Sequence, residues 1–235
     1  MPQSSQKTAL LVGATGLVGS HCLDLLLASS HYNKVVTLTR RPLSDGHTKH
    51  ENKVIDFDAL SDYKDDMKAD DVFCCLGTTL KKAGSKAAFR HVDYYYITCI
   101  CELTRLNGAS QFLVVTAIGV DARSLFFYNR VKSEVEDELI NQDWRSLHIV
   151  RPSVLLGQRE GKRAPETIAK AGMKGSAALL QGPLRKYRAI EAKTVAAGMV
   201  FTAHQERKGV NILESDEIEA PGRSFFEAHK HELHS

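Results

Sequence analysis

The sequence predicts an α/β protein in which one doubly wound parallel sheet carries helices on both faces. Short apolar segments alternate with helix-length segments along most of the chain, as parallel strands joined by crossovers require. In several longer segments apolar residues recur every three or four positions, which indicates helices with one buried face. A glycine-rich turn joins the first strand to the first helix. We therefore expect a single domain over residues 1–235, with a sheet core at about 8–150 and a small α/β lobe at about 151–235.

Each predicted strand is short and apolar and is bounded by polar or turn-forming residues. In chain order the six core strands cover residues 8–12, 34–39, 53–58, 71–76, 112–115 and 147–150, and a strand of the lobe covers 210–213. Further helices are predicted at 62–68, across 89–103 and from about residue 124. The tyrosines at 94–96 are interpreted as helix packing surface, with a subunit interface as the alternative.

The composition is that of an ordinary globular protein, and it limits the classes of partner that are expected. Hydrophobic residues make up 43% and charged residues 25% of the 235 residues, and the formal net charge is +3. Acidic and basic residues are interspersed, so no nucleic-acid partner is expected. No run of about 18 apolar residues occurs, so no membrane span is expected. The polar N-terminus up to Lys7 does not resemble a secretory signal, and a cytoplasmic location is expected.

Neither the cysteines nor the histidine-rich tail predicts a metal site. The five cysteines lie in apolar segments, and their spacing is not that of a zinc site. They are Cys22, Cys74, Cys75, Cys99 and Cys101. Free, buried thiols in a reducing compartment are expected. The histidines within residues 229–234 are expected to lie on a solvated terminus.

The spacing of Gly13, Gly16 and Gly19 predicts a dinucleotide-binding turn. In such a turn the first glycine makes the bend, the second lets a pyrophosphate approach the backbone, and the third lets the helix pack close to the strand. The helix after the turn offers unpaired N–H groups and a partial positive charge to the phosphates. Glycines at this spacing are a weak signal alone, but here they lie between a predicted strand and a predicted helix.

The residues that end the second and third strands favour NADP(H) over NAD(H). Arg40 and Arg41 stand where NAD-preferring proteins usually place an acidic residue to bind the ribose 2′-hydroxyl. Two guanidiniums there suit a 2′-phosphate, although a solvated basic turn is the alternative. They also argue against a methyltransferase, which can share a glycine-rich first turn. Asp56 and Phe57 end the third strand, where an adenine edge would lie.

Tyr128 and Lys132 are candidates for catalysis because four residues on a helix bring two side chains to one face. A phenol there could exchange a proton with a substrate oxygen while a hydride moves to or from carbon. The neighbouring ammonium is expected to lower the pKa of the phenol from its usual value near 10 and to hold the nicotinamide ribose. Thr116, at the end of the fifth strand, could orient the substrate oxygen. The alternative is a surface tyrosine beside a lysine that pairs with Glu136.

Together these motifs resemble a known family. Gly13-x-x-Gly16-x-x-Gly19 with Tyr128-x-x-x-Lys132 is similar to the short-chain dehydrogenase/reductase superfamily, which has the Rossmann-type fold. Residues 73–84, 127–136 and 151–156 more closely resemble its atypical branch, which contains the Tat-interacting protein type of oxidoreductase. The resemblance covers about residues 8–165. Where relatives carry two serines, this chain has Thr116-Ala117.

The resemblance implies bound NADPH along the carboxyl ends of the strands. Besides the glycines and arginines, it implies cofactor contacts from Thr15, Leu17, Val18, Leu76, Gly77, Thr78, Tyr128, Lys132, Leu155 and Arg163. It does not identify the substrate, because substrates of this branch are poorly defined.

The function predicted from these residues is an NADP(H)-dependent oxidoreductase acting on a small carbonyl or alcohol. One alternative is a regulator that senses NADPH and binds a protein partner with little or no catalysis. A second alternative, a sugar-nucleotide epimerase, needs a larger lobe than the short part of the chain after Arg151 offers. The sequence leaves monomer and homodimer open.

Overall fold

The computed structural model describes residues 7–43, 46–157 and 180–234, and nine strands lie within them. In chain order they are β1 (Lys7–Val12), β2 (Tyr32–Thr39), β3 (His50–Val54), β4 (Asp71–Cys74), β5 (Gln111–Val115), β6 (Ser146–Arg151), β7 (Leu155–Leu156), β8 (Ile190–Glu191) and β9 (Gly209–Glu214).

The α-helices of the same described residues mostly come after strands. They are α1 (Leu17–Ala28), α2 (Leu80–Ala83), α3 (Lys86–Arg90), α4 (Ile97–Leu106), α5 (Phe127–Asn141), α6 (Ala192–His204) and α7 (Ser215–His229). Three 3₁₀ segments cover Phe57–Met67, Gly182–Tyr187 and Glu232–His234, and a π-helical turn covers His91–Tyr96.

Seven parallel strands form the main sheet in the order β3-β2-β1-β4-β5-β6-β9. The order reverses at β1, so chain segments wind outward from the centre in both directions, and the carboxyl ends of β1 and β4 meet there. The doubly wound parallel sheet predicted from the sequence is confirmed. β7 and β8 pair in a separate two-stranded sheet.

Each face of the sheet packs against its own hydrophobic core. Successive strand residues point to opposite faces, so Leu11 contributes to one core and Leu10 to the other. The first core includes buried apolar residues of α1 and α6, and the second includes buried apolar residues of α4 and α5. Both cores are needed because a parallel sheet is buried on both faces.

Four elements differ from the sequence-based prediction. The third strand spans His50–Val54 instead of 53–58, and the Asp56 carboxylate accepts from the Asp58 amide at 2.9 Å, which starts a 3₁₀ segment where an α-helix was expected. The helix predicted across 89–103 contains a π-helical turn. The strand predicted at 210–213 lies in β9, which pairs with β6 and extends the main sheet. The division into core and lobe stays a prediction.

Candidate active site at the carboxyl ends of the strands

The glycine turn after β1 leaves no room for a side chain at Gly13 or Gly19. Gly13 has φ +89°, and a Cβ there would lie 2.5 Å from the carbonyl oxygen of Cys75, just after β4. A Cβ on Gly19 would lie 2.0 Å from the carbonyl oxygen of Gly13, so α1 can pack this close only with glycine at that position. The Gly16 amide donates to the same carbonyl at 2.8 Å. A tight turn at a helix N-terminus without bulky side chains fits the pyrophosphate of a dinucleotide.

Arg40 and Arg41 lie after β2 at this end of the sheet, and both are exposed. Asp56, which lies after β3, is exposed, but its carboxylate already accepts the Asp58 amide. Phe57 is buried, with its ring 5.4 Å from that of Tyr96. The positions suit the ribose-phosphate and adenine side of a nucleotide, and their roles in binding stay predictions.

The remaining candidate cofactor contacts lie beside the glycine turn. Thr15 is exposed, Val18 is buried, and Leu17 and Leu155 both pack against the edge of the first core. A Cβ on Gly157 would lie 2.9 Å from Leu17, so the segment after β7 passes close to the start of α1. Arg163 lies outside the described residues.

The segment after β4 carries Leu76, Gly77 and Thr78 past the glycine turn. Leu76 packs against the second core and Gly77 is exposed. The backbone amide of Thr78 donates to Oδ2 of Asp93 at 2.8 Å, which ties this segment to the π-helical turn.

Tyr128 and Lys132 lie together on α5, with Lys132 Nζ 6.0 Å from the centre of the Tyr128 ring. Tyr128 is half-buried and lies beside Phe89, the two ring centres being 5.6 Å apart. Burial raises the pKa of Tyr128, Lys132 lowers it and the Asp93 carboxylate raises it, with a net upward shift. The lowered pKa expected for Tyr128 from the sequence is therefore wrong, because desolvation and the Asp93 carboxylate together outweigh the ammonium.

Lys132 pairs with Asp93 rather than with Glu136. Its Nζ lies 2.8 Å from Asp93 Oδ1, and the side chains are only 3% and 1% exposed. The alternative of a surface tyrosine beside a lysine paired with Glu136 is thus wrong, because Lys132 pairs with Asp93 and Tyr128 is half-buried. Sequence reasoning missed Asp93, although a carboxylate among the apolar residues of a helix was a usable signal.

Thr116 points into a different polar network. Its hydroxyl donates to Oε1 of Glu136 at 2.6 Å, and Arg151 Nε donates to Oε2 of the same carboxylate at 3.0 Å. A threonine hydroxyl has one proton to donate. The Glu136 carboxylate takes that proton, and the neighbouring Ala117 has no hydroxyl. A catalytic role for Thr116 stays a prediction, with this contact against it.

The five cysteines are free; Cys22, Cys74 and Cys101 are buried, and Cys75 and Cys99 are half-buried. Among the described residues no group of three or more His, Cys, Asp or Glu side chains could hold a metal ion. In the same part of the chain, every helix is too short or too polar to cross a membrane.

Comparison with known proteins identifies relatives of this chain. A family model described as NAD(P)H-binding matches residues 13–200. Protein HTATIP2 of Rattus norvegicus is 34% identical over 168 residues, which are 70% of this chain and 69% of that protein. The mitochondrial protein FMP52 of Candida albicans is 29% identical over 221 residues, 90% of this chain and 93% of the relative.

Solved structures show the same architecture. The structure titled "MoeE5 in complex with UDP-glucose and NAD" matches with a TM-score of 0.67 over 95% of this chain and 82% of that chain. At 17% sequence identity this likeness shows the fold alone.

The cytoplasmic location expected from the sequence is contradicted by these relatives. Several fungal proteins similar to the chain are named mitochondrial. The expectation was wrong because its grounds were too general. Free thiols and ordinary polarity indicate a reducing, aqueous compartment and do not single out the cytoplasm.

Proposed function

Because the chain belongs to the NAD(P)H-binding family, as an atypical short-chain dehydrogenase/reductase of the HTATIP2 type, we propose that it is an NADP(H)-dependent oxidoreductase that acts on a small carbonyl or alcohol. The observation that carries this proposal is the position of Tyr128 and buried Lys132 on one helix at the carboxyl ends of the strands. A phenol beside an ammonium supports proton transfer to or from a substrate oxygen, because the ammonium stabilises the phenolate.

In this mechanism Tyr128 exchanges a proton with the substrate oxygen. The nicotinamide cofactor, when bound, supplies or accepts the hydride. Tyr128 is protonated at neutral pH, so its phenol has a proton to give to a carbonyl oxygen, although its raised pKa makes it a weaker acid. The Lys132 ammonium stabilises the phenolate that donation leaves behind.

Exposed Arg40 and Arg41 support NADP(H) as the cofactor. Guanidiniums bind the oxygens of a 2′-phosphate through parallel N–H donors. A 2′-hydroxyl carries no negative charge, so it would gain less from these two arginines. The glycine turn would hold the pyrophosphate through the backbone amides at the start of α1.

A regulator that binds NADPH without turnover is the second candidate, and the Thr116 contact favours it. If the hydroxyl of Thr116 stays on Glu136, no threonine or serine hydroxyl from Thr116-Ala117 orients a substrate oxygen. The residues that bind the cofactor would be the same in both functions. The solved structures whose names mention sugar nucleotides match in fold alone, so they add nothing to the epimerase alternative.

Two measurements on nucleotide-free protein test the proposal. Calorimetry measures NADPH and NADP⁺ affinity, and absorbance at 340 nm measures NADPH oxidation over a panel of small aldehydes and ketones. We expect Tyr128→Phe to keep NADPH affinity within about twofold and to lower turnover by about 10²–10⁴-fold, the usual contribution of a general acid.

The matched control is Tyr63→Phe, in the 3₁₀ segment away from α5, which should leave turnover unchanged. Tight NADPH binding without oxidation on any panel member would favour the regulator. No binding of either nucleotide would refute both functions.

A further inference from the structure

Asp93 is a buried carboxylate that contacts both the catalytic candidate and the cofactor side of the site. One oxygen lies 2.8 Å from Lys132 Nζ, and the other accepts the backbone amide of Thr78 at 2.8 Å. Asp93 is 1% exposed and Lys132 2% exposed as residues. A single side chain thus joins α5 to the segment that leaves β4.

The local backbone directs Asp93 inward. It lies in the π-helical turn His91–Tyr96, between α3 and α4, and is the buried residue of that turn. A π-helical turn inserts a residue into a helix and rotates the side chains after it, and such turns often occur at functional sites. Here the turn brings an acidic side chain to the face that packs against α5.

The other groups that act on Lys132 do not supply a negative charge at neutral pH. Burial raises the pKa of the Cys74 thiol, on β4, to about 12, so this thiol is neutral. Tyr128, on α5, is neutral because its pKa is also raised. Glu136 lies one helical turn after Lys132, but its carboxylate is bound by Thr116 and Arg151. Asp93 is therefore the counter-ion of Lys132.

We propose that Asp93 is a positioning residue that keeps Lys132 protonated inside the site and holds its ammonium beside Tyr128. A lysine removed from water without a partner loses its proton readily, and a nearby carboxylate reverses this preference. Burial lowers the pKa of Lys132 and Asp93 raises it, with a net upward shift. The consequence for Tyr128 rests on the proposed function, because a neutral lysine would not stabilise a phenolate.

The test monitors the proton on Lys132 directly. Protein with ¹³C-labelled lysine is titrated by NMR between pH 6 and 11, and the Lys132 signal is identified by its absence in Lys132→Met. We expect the titration midpoint of Lys132 in the wild type to lie above that of the exposed lysines, and the midpoint in Asp93→Asn to fall below theirs, because burial then acts without a compensating carboxylate. Asp58→Asn, which removes an exposed carboxylate that contacts His91 and Tyr96, should leave the midpoint unchanged.

An equal Lys132 midpoint in folded Asp93→Asn and wild type would overturn the proposal. If Asp93→Asn does not fold, the double variant Asp93→Asn/Lys132→Met decides. Removing both charges avoids an unpaired buried ion, so the double variant should fold and show a urea midpoint although Asp93→Asn does not. A double variant that also fails to fold, when Lys132→Met alone folds, would overturn the proposal. Neither readout uses NADPH or turnover, so failure of the proposed function leaves both results interpretable.

Discussion

The two ends of the main sheet bury polar groups in different chemical forms. At the carboxyl end Lys132 is paired with Asp93, and Arg151 is paired with Glu136. At the amino end Asp71 is buried and accepts hydrogen bonds from Tyr32 Oη and Gln111 Nε2, both at 2.9 Å. The imidazoles of His148 and His204 also lie at the amino end, and burial is the largest cause of the shifts in their pKa values.

His148 and His204 illustrate the consequence of that difference. Burial lowers the pKa of both to about 4, helped by Arg207 beside His148 and by His31 beside His204. Both are therefore neutral near pH 7. The carboxyl end buries charges in pairs, whereas the amino end has, besides the ion pair of Lys7 with Asp71, buried bases that must remain uncharged. We therefore expect acid to destabilise the amino end first. Added side-chain bulk and the loss of ligand contacts should have their effects at the carboxyl end.

The largest expected effect is at the glycine turn. Gly19→Ala places a Cβ 2.0 Å from the Gly13 carbonyl oxygen, so α1 must move away from the turn. We expect the free energy of unfolding to fall by about 3 kcal/mol and NADPH affinity to be lost, despite the better helix propensity of alanine. Chemical denaturation and calorimetry measure both. Gly77→Ala, whose Cβ would meet Asp93 at an ordinary 3.5 Å, is the control for stability, and equal stability of the two variants would contradict the steric argument.

The pH dependence of stability tests the amino end. The folded-state pKa of His148 is about 4, below the usual 6.5, so the unfolded chain binds more protons between these values. Stability from this residue is complete above pH 6.5 and is lost as the pH falls towards 4, by about 3 kcal/mol.

Urea denaturation at several pH values measures this slope, and His148→Gln should flatten it. Glutamine can still donate to the Gln111 Oε1 that His148 Nε2 faces at 3.3 Å. An unchanged slope in the variant would mean that other groups cause the acid sensitivity.

The smallest expected effects come from the two arginines that follow β2. Replacing them should change nucleotide binding but not protein stability. Arg40→Ala and Arg41→Ala should each weaken NADPH binding by about 10–100-fold, the value of one charge-assisted contact, and leave NADH binding nearly unchanged. Both side chains are exposed, so stability should change by less than about 0.5 kcal/mol. Calorimetry with the two nucleotides separates these outcomes; an equal loss for NADPH and NADH would place the arginines away from the 2′ position.

The sequence predicted the sheet well because its signals are local. Buried apolar runs such as β1 and the spacing of Gly13 and Gly19 depend on neighbouring residues alone. The start of β3 was misplaced because His50–Val54 is polar, and its place is set by pairing with β2. Tertiary pairing of this kind overrides the local pattern.

The candidate site was less predictable for the same reason. Helical spacing was enough to bring Tyr128 and Lys132 together. The partner of Lys132 is 39 positions earlier in the chain, on another helical segment, and local spacing instead suggested Glu136. Likewise, the end of a strand located Thr116, but only the packing of α5 shows where its hydroxyl points.

The outer strand β3 has a consequence for handling the protein at high concentration. Lys34 and Lys53 flank Glu51 and lower its pKa to about 2, and Asp66 pairs with Lys53 at 3.1 Å. A strand from another molecule could add here only by stripping water from ionised groups, which disfavours edge-to-edge aggregation. Glu51 stays ionised well below the pKa of the buried imidazoles. As the pH falls, the edge strand should therefore stay charged after protonation of the imidazoles has begun to destabilise the fold.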